Sequence, residues 1–209
     1  MKKNRMMRAA SALLVAVLMT TCTISGTFAK YTSSETATST ARVAKWGVTI
    51  TGSGDTAFQK QYKNGDLEVI VDSSTEDKVV APGTSGTFAN ATISGTAEVA
   101  LKVETSGTLT LEGWTVGGKF YCPLIIAGVN GALYENKMAE FKADVEAAIA
   151  ASQEFAPGAT LSIPGAAPDW SWTFEGVDDT KDTALGKLNP APTVSLTYTV
   201  SATQINDLT

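Results

Sequence analysis

Three aspartates in the C-terminal part of the chain are the candidates for metal chemistry. Asp178, Asp179 and Asp182 fall within five residues of one another, and hard cations such as Ca²⁺ bind where several oxygen ligands come from one loop. Their spacing does not match the twelve-residue loop of helix-loop-helix calcium sites. Because aspartate is also frequent in turns, the sequence favours a solvated acidic turn over residues 178–186 and leaves Ca²⁺ as the one candidate cofactor.

The chain contains no histidine, and this absence removes most catalytic sites from consideration. It excludes zinc sites of the His-Glu-x-x-His type and serine or cysteine nucleophiles that use a histidine base. No phosphate-binding glycine loop and no paired-thiol redox motif is present. A hydrolase with two carboxylates needs no histidine, but no sequence feature brings a particular pair of acids together. We therefore predict that the protein is not an enzyme and has no catalytic residues.

Two tryptophans offer a different kind of site. Trp170 and Trp172 alternate with Ser171 and Thr173 and are followed by Phe174. Paired indole rings form sugar-stacking platforms in carbohydrate-binding modules. Side chains at every second position of a strand share one face, however, and aromatic residues on one face usually pack into a core. The sequence favours core packing.

Cysteine usage predicts that no disulfide links two parts of the exported chain. Cys22 lies in the N-terminal segment, so Cys122 is the remaining thiol once that segment is removed. Cys122 is followed by Pro123 and lies in an apolar run from residue 120 to 126. We expect a buried and unreactive thiol there.

The first 29 residues have the pattern of a secretion signal. Four basic residues, Lys2, Lys3, Arg5 and Arg8, precede an apolar run and then small residues that end at Ala29. We place the cleavage between Ala29 and Lys30. The alternatives are an uncleaved membrane anchor, for which the apolar run is short, and a lipoprotein signal at Cys22, which is preceded by a poorly matching Met-Thr-Thr. The membrane is therefore expected as a partner only before cleavage.

Cleavage would leave residues 30–209 with 12 Lys and Arg against 21 Asp and Glu, so the formal net charge changes from −5 to −9. An acidic surface disfavours nucleic acid as a partner. Residues 30–40 are rich in Thr and Ser and form a leader that is either disordered or a strand donated to another molecule's sheet edge. The donor residues in this hypothesis are Lys30, Tyr31, Thr32, Ser33, Ser34, Glu35, Thr36, Ala37 and Thr38.

The remaining chain, residues 41–209, predicts one all-β domain. Ala44, Trp46, Val48 and Ile50 alternate with polar residues or glycine, as in a strand with one buried face. Further alternating segments follow, with a turn predicted at Ser106-Gly107, and the most regular of them covers residues 193–202. Short strands separated by glycine at intervals of about ten residues are typical of a β-sandwich or jelly roll.

One amphipathic helix is predicted at about residues 136–152. Met138, Phe141, Val145 and Ile149 form a single apolar stripe, Asn136 is the predicted N-cap, and Pro157-Gly158 follows the predicted end. The fold class is therefore an all-β, jelly-roll-like β-sandwich with one inserted helix.

Several segments resemble the TasA/camelysin family of secreted proteins, whose precursors are processed by a dedicated SipW-type signal peptidase in Gram-positive bacteria. The similar segments occur in the same order along the chain and occupy residues 27–31, 41–46, 81–86, 170–175, 182–186 and 198–205.

The resemblance implies an exported jelly-roll-like subunit that polymerises into biofilm matrix fibres. The freed N-terminal segment of one subunit would complete the sheet of the next, a mechanism called donor-strand complementation. The expected partners are further copies of the chain, as a head-to-tail homopolymer, and the signal peptidase during export. The expected location is the extracellular matrix or cell surface of a Gram-positive bacterium. A monomeric carbohydrate- or surface-binding module is the alternative. A metal-dependent protease is disfavoured because the chain lacks histidine.

Overall fold

The computed structural model describes residues 42–52, 57–64, 68–75, 77–88, 91–175 and 178–208. The signal segment, the cleavage site at Ala29 and Lys30, and the leader (residues 30–40) lie outside the described residues. The described strands are β1 (Thr49–Gly52), β2 (Gln61–Asn64), β3 (Glu68–Asp72), β4 (Ser85–Thr87), β5 (Ala91–Ser94), β6 (Leu101–Glu112), β7 (Thr115–Val116), β8 (Lys119–Phe120), β9 (Leu124–Ile126), β10 (Val129–Asn130), β11 (Ala151–Phe155), β12 (Asp169–Trp172) and β13 (Thr193–Gln204). Two α-helices, α1 (Met138–Ile149) and α2 (Asp179–Gly186), and a 3₁₀ turn at Gly131–Leu133 complete the described elements.

The strands form antiparallel sheets, which confirms the predicted all-β class. The largest sheet has four strands in the order β10-β9-β12-β4, and a three-stranded sheet has the order β11-β6-β13. In the latter, β13 pairs with β6 along its whole length, from Thr193 opposite Glu112 to Gln204 opposite Leu101. The described residues also contain three two-stranded sheets, β1-β5, β2-β3 and β7-β8.

Side chains from both large sheets and from α1 meet in one hydrophobic core. Strands β6, β9 and β12 each contribute buried residues, and α1 contributes Phe141, Val145 and Ile149. A second cluster lies near the other end of β6 around Leu101, Val103 and Phe155. Every residue of both clusters lies between Val48 and Ala202. The predicted domain of residues 41–209 therefore contains its own described core.

The predicted turn at Ser106-Gly107 is wrong, because both residues lie inside the continuous strand β6. Gly107 serves close packing instead of chain reversal. A Cβ atom at Gly107 would lie 2.8 Å from Ile149 Cδ1 and 3.1 Å from its Cγ2. A glycine inside a strand often marks such a close approach, and here it lets α1 lie directly on β6.

The helix α1 is shorter than predicted at both ends. Its N-cap is Lys137, which makes no side-chain capping bond, and the predicted cap Asn136 adopts a left-handed conformation with φ of 62°. Met138, assigned to the apolar stripe, is half exposed. At the C-terminal end the chain passes directly into β11 at Ala151, whose N–H donates to Thr105 Oγ1 at 3.0 Å. This side-chain bond, together with pairing to β6, favours a strand where the helix was expected to continue.

The first predicted strand also differs. Trp46 forms an isolated bridge with Ala97, and regular pairing begins only at Thr49. Ile50 is 37 % exposed and Trp46 is 46 % exposed, whereas Val48 is half-buried and packs against the second cluster, so the predicted face is only partly buried. The reason is that β1 pairs with β5 in a two-stranded sheet, which offers less cover than the two larger sheets.

Candidate assembly edge

Strand β13 forms one edge of the three-stranded sheet. It pairs with β6 through all twelve residues without a register shift, and no strand among the described residues pairs with its other edge. In an antiparallel pair, alternate residues direct their N–H and C=O groups away from the partner, so about six residues of β13 present these groups at the open edge. A strand edge of this kind is a template for pairing with another chain.

The sequence of β13 lacks the features that usually protect an edge. Folded proteins discourage edge pairing with charged residues, proline, bulges or very short edge strands. The segment Thr-Val-Ser-Leu-Thr-Tyr-Thr-Val-Ser-Ala-Thr-Gln contains no charged residue, no proline and no glycine. Its twelve residues are also twice the length of an average strand, which is about five to six residues. The edge is therefore long, regular and uncharged.

Burial decreases from β6 to β13 across the inner face of the sheet. Leu109 and Leu111 on β6 are 0 % and 7 % exposed, whereas their register partners Leu196 and Val194 on β13 are only half-buried. Tyr198, the next inward residue of β13, is half-buried as well. The apolar face of the sheet is thus incompletely covered at β13, as expected where a further strand would add cover.

The opposite edge of the same sheet is protected. Strand β11 has five residues and carries Glu154, and beyond β11 the helix α1 covers β6. The Leu109 N–H donates to Glu146 Oε1 at 3.0 Å, and the Thr105 hydroxyl donates to the Ile149 carbonyl at 2.9 Å. The helix therefore satisfies polar groups of β6 on this side, and the edge strand there offers only the five residues of β11 for pairing.

The edges of the four-stranded sheet are short. Strand β10 has two residues and β4 has three. Strand β4 is also crowded, because a Cβ atom at Gly86 would lie 2.3 Å from the Ala57 carbonyl oxygen. The indole N–H of Trp170 donates to that same oxygen at 2.8 Å. Neither edge offers a length comparable to that of β13.

The solvent face beside the open edge is a regular array of hydroxyl groups. The outward residues of β13 are exposed Thr and Ser: Thr193, Ser195, Thr197, Thr199, Ser201 and Thr203. Three exposed hydroxyl residues of β6 lie opposite members of this row: Ser106, Thr108 and Thr110. We call these residues the hydroxyl face. Cross-strand Thr and Ser pairs of this kind stabilise a sheet.

The predicted acidic turn is a helix. Asp178 is the N-cap of α2. Its carboxyl group accepts a hydrogen bond from the Lys181 N–H at 3.0 Å, and this bond lowers the pKa of the Asp178 carboxyl group. Asp182 accepts hydrogen bonds from the Tyr121 hydroxyl at 2.7 Å and from Trp172 Nε1 at 3.3 Å. The physical reason for a helix is this cap together with the burial of Leu185 against the core.

The three aspartates of the Ca²⁺ hypothesis do not converge. Asp178 and Asp182 direct oxygens to different protein donors, and Asp179 is exposed. Within the described ranges, no group of three or more Cys, Asp and Glu side chains is arranged to hold a metal ion. Burial and the bond to Asp182 together raise the pKa of Tyr121 above its ordinary value, which fits a structural hydrogen bond.

The aromatic residues predicted on one face separate in the structure. Trp170 and Trp172 are buried in the core, as the sequence favoured, whereas Phe174 lies beyond the end of β12 and is 75 % exposed. Cys122 is also buried, and desolvation raises the pKa of its thiol to about 12. Both tryptophans are therefore unsuited to stacking on a sugar in this conformation, and the prediction of a buried thiol is confirmed.

Among the cavities formed by the described residues, one lies between the β2-β3 hairpin and the edge of β4. It has a volume of about 460 Å³, and its lining comprises Gln59, Gln61, Tyr62, Lys63, Ile70, Gly83, Thr84 and Ser85. Phe174 lies beside it, because a Cβ atom at Gly83 would be 3.3 Å from the Phe174 ring. The amide and hydroxyl groups of this lining can form hydrogen bonds with a polar ligand.

Comparison with known proteins adds no assignment, since no family model, no curated protein and no solved structure matches the chain. Within the part of the chain that the structure describes, neither helix has the length and apolar character that crossing a bilayer requires.

The sequence pattern alone did not identify β13 as an edge strand. The signal that could have done so is the run of twelve uncharged residues in its most regular strand.

Proposed function

We propose that the chain is a secreted, non-enzymatic structural subunit of the cell surface or biofilm matrix of a Gram-positive bacterium. It assembles head to tail by strand addition, as its resemblance to the TasA/camelysin family implies. The observation that carries this proposal is the open edge of β13, which is long, uncharged and incompletely covered on its apolar side. The jelly-roll arrangement of the sheets is part of the same proposal.

In this mechanism the leader of one subunit lies beside β13 of the next subunit. Its N–H and C=O groups pair with those at the open edge, and its inward side chains add cover to the half-buried residues of β13. The contact joins two different surfaces, so each added subunit presents a fresh edge and the assembly grows as a filament. Recognition by main-chain pairing requires no catalytic group and no cofactor.

The leader and the edge match in length and in alternation. The leader has eleven residues from position 30 to 40, against twelve in β13. One alternating set of the leader consists, after Lys30, of hydroxyl residues: Thr32, Ser34, Thr36, Thr38 and Thr40. With this set outward, the added strand would extend the hydroxyl face by one strand and place Tyr31, Ser33, Glu35, Ala37 and Ser39 on the inner face.

The direct test compares two purified forms, residues 30–209 and residues 41–209. Electron microscopy of concentrated samples is expected to show filaments for the first form and none for the second. Because residues 41–209 contain both hydrophobic clusters, loss of filaments in the shorter form would not reflect loss of the core. Equal polymerisation of the two forms would refute the donor role of the leader.

A second experiment supplies the leader as a separate peptide that competes for the open edge of β13. A synthetic peptide of residues 30–40, added in excess to residues 30–209, should occupy open edges and shorten the filaments. A scrambled peptide of the same composition breaks the alternation of the hydroxyl set and serves as the matched control. Inhibition by both peptides to the same extent would contradict recognition through a specific strand register.

The cavity beside Phe174 supports a second candidate function, a carbohydrate-binding module. The amide and hydroxyl groups that line it, with the exposed Phe174 ring next to the lining residue Gly83, suit a sugar ligand better than the buried Trp170 and Trp172 do. Phe174→Ala should then abolish glycan binding on an array, whereas Trp170 and Trp172 variants would act only through stability. Absence of glycan binding by the native protein would remove this candidate.

A further inference from the structure

The open edge of β13 is complementary to itself. When two antiparallel strands pair in one continuous sheet, residues directly opposite each other lie on the same face. A second copy of β13 can therefore pair with the first only in registers that place apolar residues opposite apolar residues and hydroxyl residues opposite hydroxyl residues. A shift by one residue would exchange the two faces.

The symmetric register that satisfies this condition over the longest stretch, residues 193–203, places Tyr198 opposite Tyr198 of the second copy. The flanking pairs are then Thr197 with Thr199, Leu196 with Val200, Ser195 with Ser201, Val194 with Ala202 and Thr193 with Thr203. A register centred on Thr197 also satisfies the condition but pairs only residues 193–201. The register centred on Thr199 would pair Val194 with Gln204 and is less well matched. Because no charged residue lies in β13, no like charges meet across the seam.

We propose that two subunits pair through β13 into a symmetric dimer with a continuous six-stranded sheet, β11-β6-β13 joined to β13-β6-β11 of the second copy. Both copies use the same surface, so the contact closes on itself and does not propagate. This inference rests on the open edge of the proposed function but makes no use of the leader. Its consequence is regulatory, because dimerisation hides the edge that the leader of another subunit would occupy.

The half-buried inner face of β13 supports a second copy as the occupant. Val194, Leu196 and Tyr198 pack against the main core, and Val200 and Ala202 against the second cluster, without being fully covered. The dimer would bring each of these side chains next to an apolar side chain of the other copy. On the outer face it would continue the hydroxyl face across the seam, with no unpaired charge.

The test uses the form without the leader, residues 41–209, so that filament growth cannot compete. Thr197 and Thr199 are exposed, so charged side chains there point to solvent and spare the core. In the proposed register, Thr197→Lys/Thr199→Lys brings ammonium groups opposite each other twice across the seam, at Cβ separations of about 5 Å. Thr197→Glu/Thr199→Glu does the same with carboxylates. Ser106→Lys/Thr108→Lys carries the same charge on the same face, one strand away from the edge, and is the matched control.

Sedimentation equilibrium should show a concentration-dependent dimer for the unsubstituted form and for the Ser106/Thr108 control. Dimer affinity should fall about tenfold or more in each Thr197/Thr199 variant. An equimolar mixture of the Lys and Glu variants should regain dimer, because opposite charges then meet across the seam. The proposal is overturned if residues 41–209 stay monomeric at about millimolar concentration, if the edge variants dimerise as well as the control, or if the mixture does not recover.

The leader mechanism and the symmetric β13 dimer can be refuted independently of each other. A dimer of residues 41–209 without filaments of residues 30–209 would overturn the leader mechanism and support the symmetric edge. Filaments of residues 30–209 without a dimer of the shorter form would do the reverse.

Discussion

Replacing Gly107 by alanine tests the close packing of α1 on β6, which brings Glu146 and the Ile149 carbonyl within hydrogen-bond distance of β6. A Cβ atom at this position would lie 2.8 Å from Ile149 Cδ1 and 3.1 Å from Ile149 Cγ2, so the helix or the side chain must move. Overpacking of this kind costs about 1–3 kcal/mol. Alanine also restricts the unfolded chain more than glycine does, which stabilises the folded state by about 0.4–1 kcal/mol. We therefore expect Gly107→Ala to lower the free energy of unfolding by about 1–2 kcal/mol.

A double-mutant cycle makes this prediction specific to the one contact. Ile149→Val removes Cδ1, the atom closest to the added methyl group, at a cost of about 0.5–1.5 kcal/mol when made alone. In the presence of Gly107→Ala, the same change relieves the clash. The double variant should therefore be more stable than the sum of the single effects predicts, by about 1 kcal/mol. Urea denaturation of residues 41–209, followed by tryptophan fluorescence, measures each corner of the cycle.

Gly52→Ala is the matched control for this cycle. Gly52 also lies in a strand, has no left-handed backbone conformation, and has no atom within 4 Å of its virtual Cβ position. Its replacement should leave stability unchanged or raise it slightly. A neutral effect of Gly107→Ala, or additive effects in the double variant, would refute the close packing of α1 on β6.

Three further predictions concern the buried polar groups. Tyr121→Phe removes a hydrogen bond to the Asp182 carboxylate and should lower the free energy of unfolding by about 2 kcal/mol. Tyr134→Phe is the control: it removes the exposed hydrogen bond to Asp144 and should change the free energy of unfolding by less than about 0.5 kcal/mol. Cys122 should not react with a thiol reagent at pH 8 until the protein is unfolded by urea, since it is buried; rapid labelling of the native protein would contradict its burial. Because burial raises the Cys122 pKa from 9.0 to about 12, the unfolded state releases this proton first as the pH rises. The thiol's contribution to stability is thus present below pH 9 and should be lost between pH 9 and 12, and this loss should be smaller in Cys122→Ala.

Period-two alternation was the reliable signal in this sequence. It predicted the long strand β13, in which Val194 to Ala202 alternate inward as expected, and the burial of Trp170 and Trp172. Alternation works in these places because each strand has one face on a core and one in water. The sequence N-terminal to β1 showed the same alternation without the same burial, because the degree of cover depends on which sheet a strand joins.

Glycine and aspartate were misleading for a physical reason. Gly107 was expected to reverse the chain, but a glycine can equally permit a close approach by a distant residue such as Ile149. Asp178 was expected in a turn, yet a residue that favours turns is also a good helix cap. The outcome at Gly107 depends on Ile149, which lies far away in sequence, and the helix after Asp178 depends on the burial of Leu185 against the core. The same holds for the open edge, since the order of strands in a sheet follows from pairing between distant segments.

The charge distribution bears on the proposed assembly of subunits. After the predicted cleavage the chain would carry a net charge of −9, which repels approaching copies over about a Debye length, roughly 8–10 Å at physiological ionic strength. None of that charge lies in β13. In the proposed assembly, repulsion would therefore slow the approach of two subunits, while the edge itself would pair without opposing charges. Salt should weaken only the first effect, so assembly through this edge should become faster, not slower, as ionic strength rises. An assembly held by surface ion pairs would show the opposite dependence.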